Sequence, residues 1–313
     1  MNLIDSHCHL QDERIPEDSL DCMITAASSA GVSRLVVNGC WPGDWPRVLS
    51  LASKYPESIL PQLGLHPWWV NRRAEGEIRN QAGEESEEKT DNAWLATLRR
   101  LLLENPTAGL GECGLDKGTK ALARASWEEQ LEAFKLQLQL AQELQRPVSV
   151  HCVKSFGAVH DMLCKVNLTV PVVLHAWTGT AEMTELFLKL PNVYFSLGGH
   201  LTKVAPTKAL PMLHLLGEKA LDRCLIESDA PDGALQLNDA WIEAMPTLSQ
   251  LRKDLECEQL KDEKHEMSTD RKKDVLNTPV ATRHMLKLMA TVLDKPESDL
   301  AQATFNNAQR VFW

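Results

Sequence analysis

Eight short apolar runs recur along the chain, and segments of helical spacing separate most of them. The runs are Asn2–His9, Leu35–Gly39, Ile59–His66, Ala108–Leu115, Val148–His151, Val172–His175, Val193–Leu197 and Cys224–Asp229. Strands joined through helices run parallel, because each crossover returns the chain to the same end of the sheet. Eight is the number that closes a barrel, so the pattern predicts an α/β fold of the (β/α)8 TIM type. An open doubly wound sheet is the runner-up, but no Gly-x-Gly-x-x-Gly follows the first run.

At 313 residues the chain fits a single barrel domain, residues 1–313. Gly31 is a good stop for a helix over Glu17–Ala30. Ser126-Trp127-Glu128-Glu129 reads as a capping box opening a helix that runs to Gln145. Its Leu131, Phe134, Leu138 and Ala141 form a stripe facing the core, and Pro147 lies just past its end. Two charged stretches break the rhythm. Glu75–Asn92 is acidic and Arg252–Asp274 mixes both signs, and each reads as a solvated loop insertion after a strand.

Composition narrows the class. No apolar run approaches the roughly 18–20 residues of a membrane span, and the first residues carry no secretory pattern. Eight cysteines occur without a Cys-x-x-Cys pair, which suits a reducing compartment, cytoplasmic or nuclear. Cys8, Cys113 and Cys152 sit on the strand face opposite polar neighbours and read as small buried hydrophobes. A net charge of −10 argues against broad electrostatic capture of nucleic acid. A bound cation would still supply positive charge locally.

The chemistry lies at the strand ends. Side chains two apart on a strand share a face, so His7 and His9 can reach one ion, with Asp5 behind them. Glu112 sits between glycines on an apolar strand, where a lone carboxylate is prohibitive without a cation or partner. His151 and His175 end two consecutive strands, and Asp229 ends the last, with Glu227 one layer below. Each has a bland reading of its own, as a packing histidine or a salt bridge. In a closed barrel all six groups, His7, His9, Glu112, His151, His175 and Asp229, converge at the C-terminal mouth. Four imidazoles and two carboxylates suffice for two divalent ions, with magnesium, manganese and zinc all compatible. Such ions turn water into a nucleophile at neutral pH. Glu112 is the natural bridge, and Asp229 is the candidate acceptor of the water's proton. A serine triad has no Gly-x-Ser-x-Gly elbow here.

Weaker candidates surround this set. His66 and Lys203, the latter following Gly198-Gly199, suit a substrate phosphate, against plain packing and turn readings. Asp5 and Glu227 suit the orientation of ligand histidines. Among nine tryptophans, Trp68, Trp69 and Trp177 lie near rim motifs and suit base stacking, with helix packing as the default.

In order and spacing these residues resemble the TatD family of metal-dependent deoxyribonucleases, within the amidohydrolase-like barrels. The motifs are Asp5-Ser6-His7-Cys8-His9-Leu10, Gly64-Leu65-His66-Pro67 and Gly111-Glu112-Cys113-Gly114-Leu115-Asp116. They continue through Gln130, Phe134 and Gln137 to Pro147-Val148-Ser149-Val150-His151, then His175-Ala176-Trp177-Thr178-Gly179 and Glu227-Ser228-Asp229-Ala230-Pro231. Asn277-Thr278-Pro279 and Asn306-Asn307-Ala308-Gln309-Arg310-Val311-Phe312 complete the match. The resemblance implies DNA as substrate, trimming of 3′ ends, and two divalent metals; the hydropathy of the chain predicts no membrane span, and no obligate protein partner is implied. Relatives with a carboxylated lysine differ, because the corresponding strand end offers Glu112. Val153 stands where the family often has arginine, and Asp232 where an aromatic often follows the last motif. Two other classes stay open: a metal hydrolase for a lactone, an amide or an aminoacyl-tRNA ester, and a metal-bound but catalytically idle interaction protein.

Overall fold

The computed structural model describes residues 1–73, 93–266 and 276–313. Its sheet holds eight strands in sequence order: β1 (Leu3–Cys8), β2 (Val32–Asn38), β3 (Ile59–Leu63), β4 (Gly109–Asp116), β5 (Val148–Val153), β6 (Val172–Leu174), β7 (Val193–Leu197) and β8 (Cys224–Ile226). The β3–β4, β4–β5, β5–β6 and β7–β8 pairs are parallel. At the other side β8 lies against β1, where the Asp229 N–H donates to the His7 carbonyl at 3.0 Å. Sequential order with the last strand beside the first is the (β/α)8 barrel that the alternation predicts.

By internal packing the chain divides into two compact units. One comprises Met1–Leu35, Ala176–Leu188 and Phe195–Arg310; the other comprises Val36–His175, Lys189–Tyr194 and Val311–Trp313. In the first, β1 is buried along its whole length, and Trp177 packs its ring edge-on against Phe187 and Phe195 at 5.2 Å each. In the second, the capping box at Ser126 is formed and opens a helix over Trp127–Leu144, with Gln145 left-handed at its end. Phe134, Leu138 and Ala141 are buried on its inner face, and Leu131 is half-buried. Buried Gln130 and Gln137 share that face and hold backbone. Gln137 accepts from the Leu65 N–H at 2.7 Å, and Gln130 from the Asp116 N–H at 2.9 Å.

Two expectations need correction and one falls outside the described residues. The segment over Glu17–Ala30 splits into a 3-10 turn at Glu17–Ser19 and an α-helix at Leu20–Ser29, which ends before Gly31 as expected. The Arg252–Asp274 stretch is not simply a loop, because a helix runs over Ser249–Glu266. Glycine and proline are absent there, and Arg252 pairs with Glu256 one turn on at 2.9 Å. Local propensity therefore suffices without an apolar stripe. The Glu75–Asn92 insertion and residues 267–275 lie outside the described residues.

Candidate metal centre

Strand pleat places His7 and His9 on one face of β1 and its end, as their spacing requires. Their Nε2 atoms are 3.2 Å apart, and the His9 Nε2 lies 3.6 Å from an Asp229 oxygen. Donor atoms of His7, His9 and Asp229 all fall within 4.8 Å of one another. Two imidazole nitrogens this close to a carboxylate form a two-histidine, one-carboxylate set that suits a divalent ion. Asp229 has φ 53°, a left-handed conformation that aspartate tolerates better than most residues. Its backbone is tied to His7, and the His9 N–H donates to the Ala230 carbonyl at 2.6 Å.

Beneath this set Asp5 is fully buried and accepts from the Ser228 N–H at 2.9 Å and the Ser228 hydroxyl at 2.5 Å. Burial pushes its carboxyl up to about 7, against those hydrogen bonds. Glu227 is also buried and accepts from the Ala176 N–H at 2.7 Å, so it fastens the turn that follows His175. Both carboxylates act on backbone here, as supports for the neighbouring strand ends.

The sequence reading missed His200. Its Nε2 lies 2.9 Å from Asp229 Oδ2, and its Nδ1 lies 3.1 Å from the Lys203 ammonium. An ammonium only donates, so Nδ1 accepts and the proton sits on Nε2, directed at Asp229. Lys203 thus reaches Asp229 through an imidazole. The glycine pair before His200 serves close packing, since a Cβ on Gly199 would lie 2.0 Å from the Gly233 carbonyl oxygen. Asp232, at the position where the family often carries an aromatic, instead holds the Arg14 guanidinium at 2.6 and 3.0 Å.

The second unit carries the other set. A register shift between Leu110 and Cys113 interrupts the β4–β5 ladder at Glu112, and such a bulge re-aims a side chain. Gly114 pairs with His151, and a Cβ there would sit 2.0 Å from the His151 carbonyl, so only glycine lets the strands approach. The Glu112 Oε1 then lies 2.7 Å from His151 Nδ1, 2.7 Å from His175 Nε2 and 3.3 Å from His66 Nε2. Burial opposes ionisation of Glu112, but the charges and hydrogen bonds of His175, His66 and His151 outweigh it and hold its carboxyl well below the usual range. Burial likewise lowers His151, yet Asp116 and Glu112 on either side raise it above the ordinary imidazole value. Its buried Nε2 has no hydrogen-bond partner, and the nearest carboxylate there is Asp116 at 3.6 Å. A buried carboxylate oxygen with two imidazole nitrogens at 2.7 Å is a donor set that fits a divalent ion in place of the proton.

Asp116 was not singled out from sequence, and it organises this side. It accepts from the Trp68 indole N–H at 2.6 Å and the Gly118 N–H at 2.6 Å. Those bonds and His151 overcome its burial and lower its carboxyl to about 2. The His66 Nδ1 accepts from the Trp68 backbone N–H at 3.0 Å, which leaves its proton on Nε2. An Nε2–H donates; it does not ligate. Trp177 lies in the core and donates its indole N–H to Thr184 at 2.9 Å, so the packing default holds for it.

A barrel whose strands end in histidine–carboxylate clusters is the layout of a metal-dependent hydrolase. Comparison with known proteins agrees: residues 4–313 match the model for TatD-related DNases, and the chain belongs to that family. The 3′-5′ ssDNA/RNA exonuclease TatD of Erwinia billingiae is 30% identical over 212 residues, covering 67% of this chain and 72% of that protein. The Cut9-interacting protein scn1 of Schizosaccharomyces pombe is 28% identical over 204 residues, 52% of this chain but only 59% of its own length. Among solved structures, the TatD homologue YJJV of Escherichia coli superposes with a TM-score of 0.72, over 99% of this chain and 97% of that one, at 23% identity. No helix among the described residues is long and apolar enough to cross a membrane.

Proposed function

We propose that residues 1–313 act as one catalytic barrel that hydrolyses phosphodiester bonds at the 3′ end of single-stranded DNA, with two divalent metal ions. The observation that carries this is the buried Glu112 carboxylate, within 3.3 Å of three imidazoles at strand ends. Its support comes from the relative named as a 3′-5′ exonuclease. His7, His9 and Asp229 would hold one ion, and Glu112, His151 and His175 would hold the other. Bound there, such ions lower the pKa of water toward about 7 and neutralise charge on a phosphate.

The chain's own residues then have separable tasks. Asp229 accepts the water's proton at a carboxylate oxygen. His200, donating to Oδ2 with Lys203 behind it, holds that carboxylate in one orientation. His66 presents an Nε2–H, the form that donates to a phosphate oxygen, and the Lys203 ammonium supplies positive charge that suits a phosphate. Asp116 fixes the His151 ring from its far side, as the outer partner of a ligand histidine commonly does. A reducing compartment, cytoplasm or nucleus, fits eight cysteines that form no disulfide among the described residues.

A second reading, hydrolysis of a lactone, an amide or an aminoacyl-tRNA ester, is favoured by one observation. Val153, 37% exposed at the end of β5, stands where the family often carries arginine. The test sets protein loaded with magnesium, manganese or zinc against single- and double-stranded DNA, RNA, a lactone and an aminoacyl-tRNA. Release of mononucleotides from the 3′ end of DNA is expected. Turnover of the lactone or aminoacyl ester with DNA left intact overturns the nuclease assignment and keeps the hydrolase.

A further inference from the structure

Beside the Glu112 cluster, within the same compact unit, aromatic rings alternate with cations. Trp41 and Trp69 are stacked, with centroids 5.7 Å apart and planes inclined by 23°. The Arg72 guanidinium lies over both, 4.3 Å from Trp41 and 5.2 Å from Trp69. Arg124 lies over Trp68 and Trp69, 5.3 Å from each. Trp68 ties this array to the catalytic cluster through its hydrogen bond to Asp116 and its edge-on contact with the His66 ring at 5.8 Å.

Packing does not account for the array. Trp45, Trp177 and Trp241 are fully buried, as tryptophans that fasten a core should be. Trp41, Trp68 and Trp69 instead stay half-buried, and Arg124 is exposed. Among the described residues Arg124 forms no ion pair. A chain with a net charge of −10 thus concentrates cations and half-buried indoles at one place. Rings that stack bases, interleaved with guanidinium groups that meet phosphates, are the composition of a surface for single-stranded nucleic acid.

We propose that Trp41, Trp69, Arg72 and Arg124 form a docking platform for the nucleotides upstream of the scissile 3′ bond. The proposal rests on the nuclease reading above and adds to it where the rest of the strand lies. Stacking is indifferent to base identity, so the platform would favour length over sequence. It would act on DNA and RNA alike, because neither a ring face nor a guanidinium reads the 2′-hydroxyl.

The test measures binding of 5′-fluorescein oligo(dT) of 3 and 12 nucleotides, and of oligo(U) of 12, by anisotropy. Each carries 3′-phosphorothioate linkages to stop cleavage by the manganese-loaded full-length protein. Wild type is expected to bind the 12-mers at least tenfold tighter than the 3-mer. Trp69→Ala should weaken 12-mer binding about tenfold and Trp69→Phe should recover most of it. Arg124→Ala should reduce the salt dependence by about one counterion. Unchanged melting curves of Arg124→Ala, an exposed site, and of Trp69→Phe show that the fold persists.

If Trp69→Ala and Arg124→Ala both bind the 12-mers as wild type does, while wild type trims unmodified DNA, the platform is wrong and the nuclease stands. If wild type neither binds nor trims DNA or RNA, the nuclease reading fails and the platform with it. A changed elution volume for Trp69→Ala with unchanged affinity would assign the face to contact between copies, and would also overturn the proposal.

Discussion

Glu112→Gln isolates what the buried carboxylate does before any metal arrives. The substitution keeps the side chain's length and shape and removes its charge. Glu112 is 2% exposed, and its Oε1 meets His151, His175 and His66 at 2.7, 2.7 and 3.3 Å. Removing one member of a buried charged network costs about 3–5 kcal/mol, and the amide's residual hydrogen bonds place this case near the lower end. For a chain of this length about 3 kcal/mol lowers the melting temperature by about 5 °C. The carboxyl is depressed in the folded protein, so its contribution is full above its ordinary value of 4.5 and fades as pH falls through the depressed one. The gap between wild type and variant, melted in chelator, should therefore be widest near neutral pH and narrow below 4.5. Metal titration of the same samples should show affinity lost as well, because a carboxylate with two anionic oxygens has become an amide with one neutral oxygen. A variant that melts within 1 °C of wild type at pH 7 in chelator would refute the argument, since the ring of imidazoles would then be indifferent to the charge they enclose.

Other expectations follow from the same geometry. Asp229→Asn should abolish most turnover while retaining at least one metal ion, whereas Glu112→Ala should lose metal and rate together; metal content measured beside hydrolysis separates them. Asp116→Asn should lower the His151 pKa, read by NMR in the metal-free protein, and weaken metal binding by about 10–100-fold. Trp177→Ala should cost about 3–5 kcal/mol in denaturant unfolding, because a fully buried ring between Phe187 and Phe195 leaves a cavity. Ser126→Ala should cost about 1 kcal/mol by removing one half of the formed capping box.

What could be read from sequence was what repeats or has a fixed period. The eight strands announced themselves as apolar runs between helical segments, and the His7–His9 pair followed from the two-residue pleat. The strand ends were legible for a related reason: polar residues closing an apolar run have to be paired or solvated, and here they are metal-binding types. His200 and Asp116 were not legible, because each earns its place through contacts distant in sequence. His200 meets Asp229 across 29 positions and Asp116 meets His151 across 35. No local period encodes either distance. The helix at Ser249–Glu266 was misread for the opposite cause. A charged segment without an apolar stripe looks like a loop when burial is the guide, although its propensities and its turn-spaced ion pair favour helix. The lesson for Trp68 and Trp69 is sharper. Sequence placed Trp68, Trp69 and Trp177 on equal terms near rim motifs, and only their surroundings divide them. Trp177 is enclosed by phenylalanines, while Trp69 lies between an indole and two guanidinium groups. Identical side chains carry different functional weight here because what flanks each ring, apolar carbon or cationic nitrogen, decides whether it only fills the core or gathers the charges that a phosphate backbone meets.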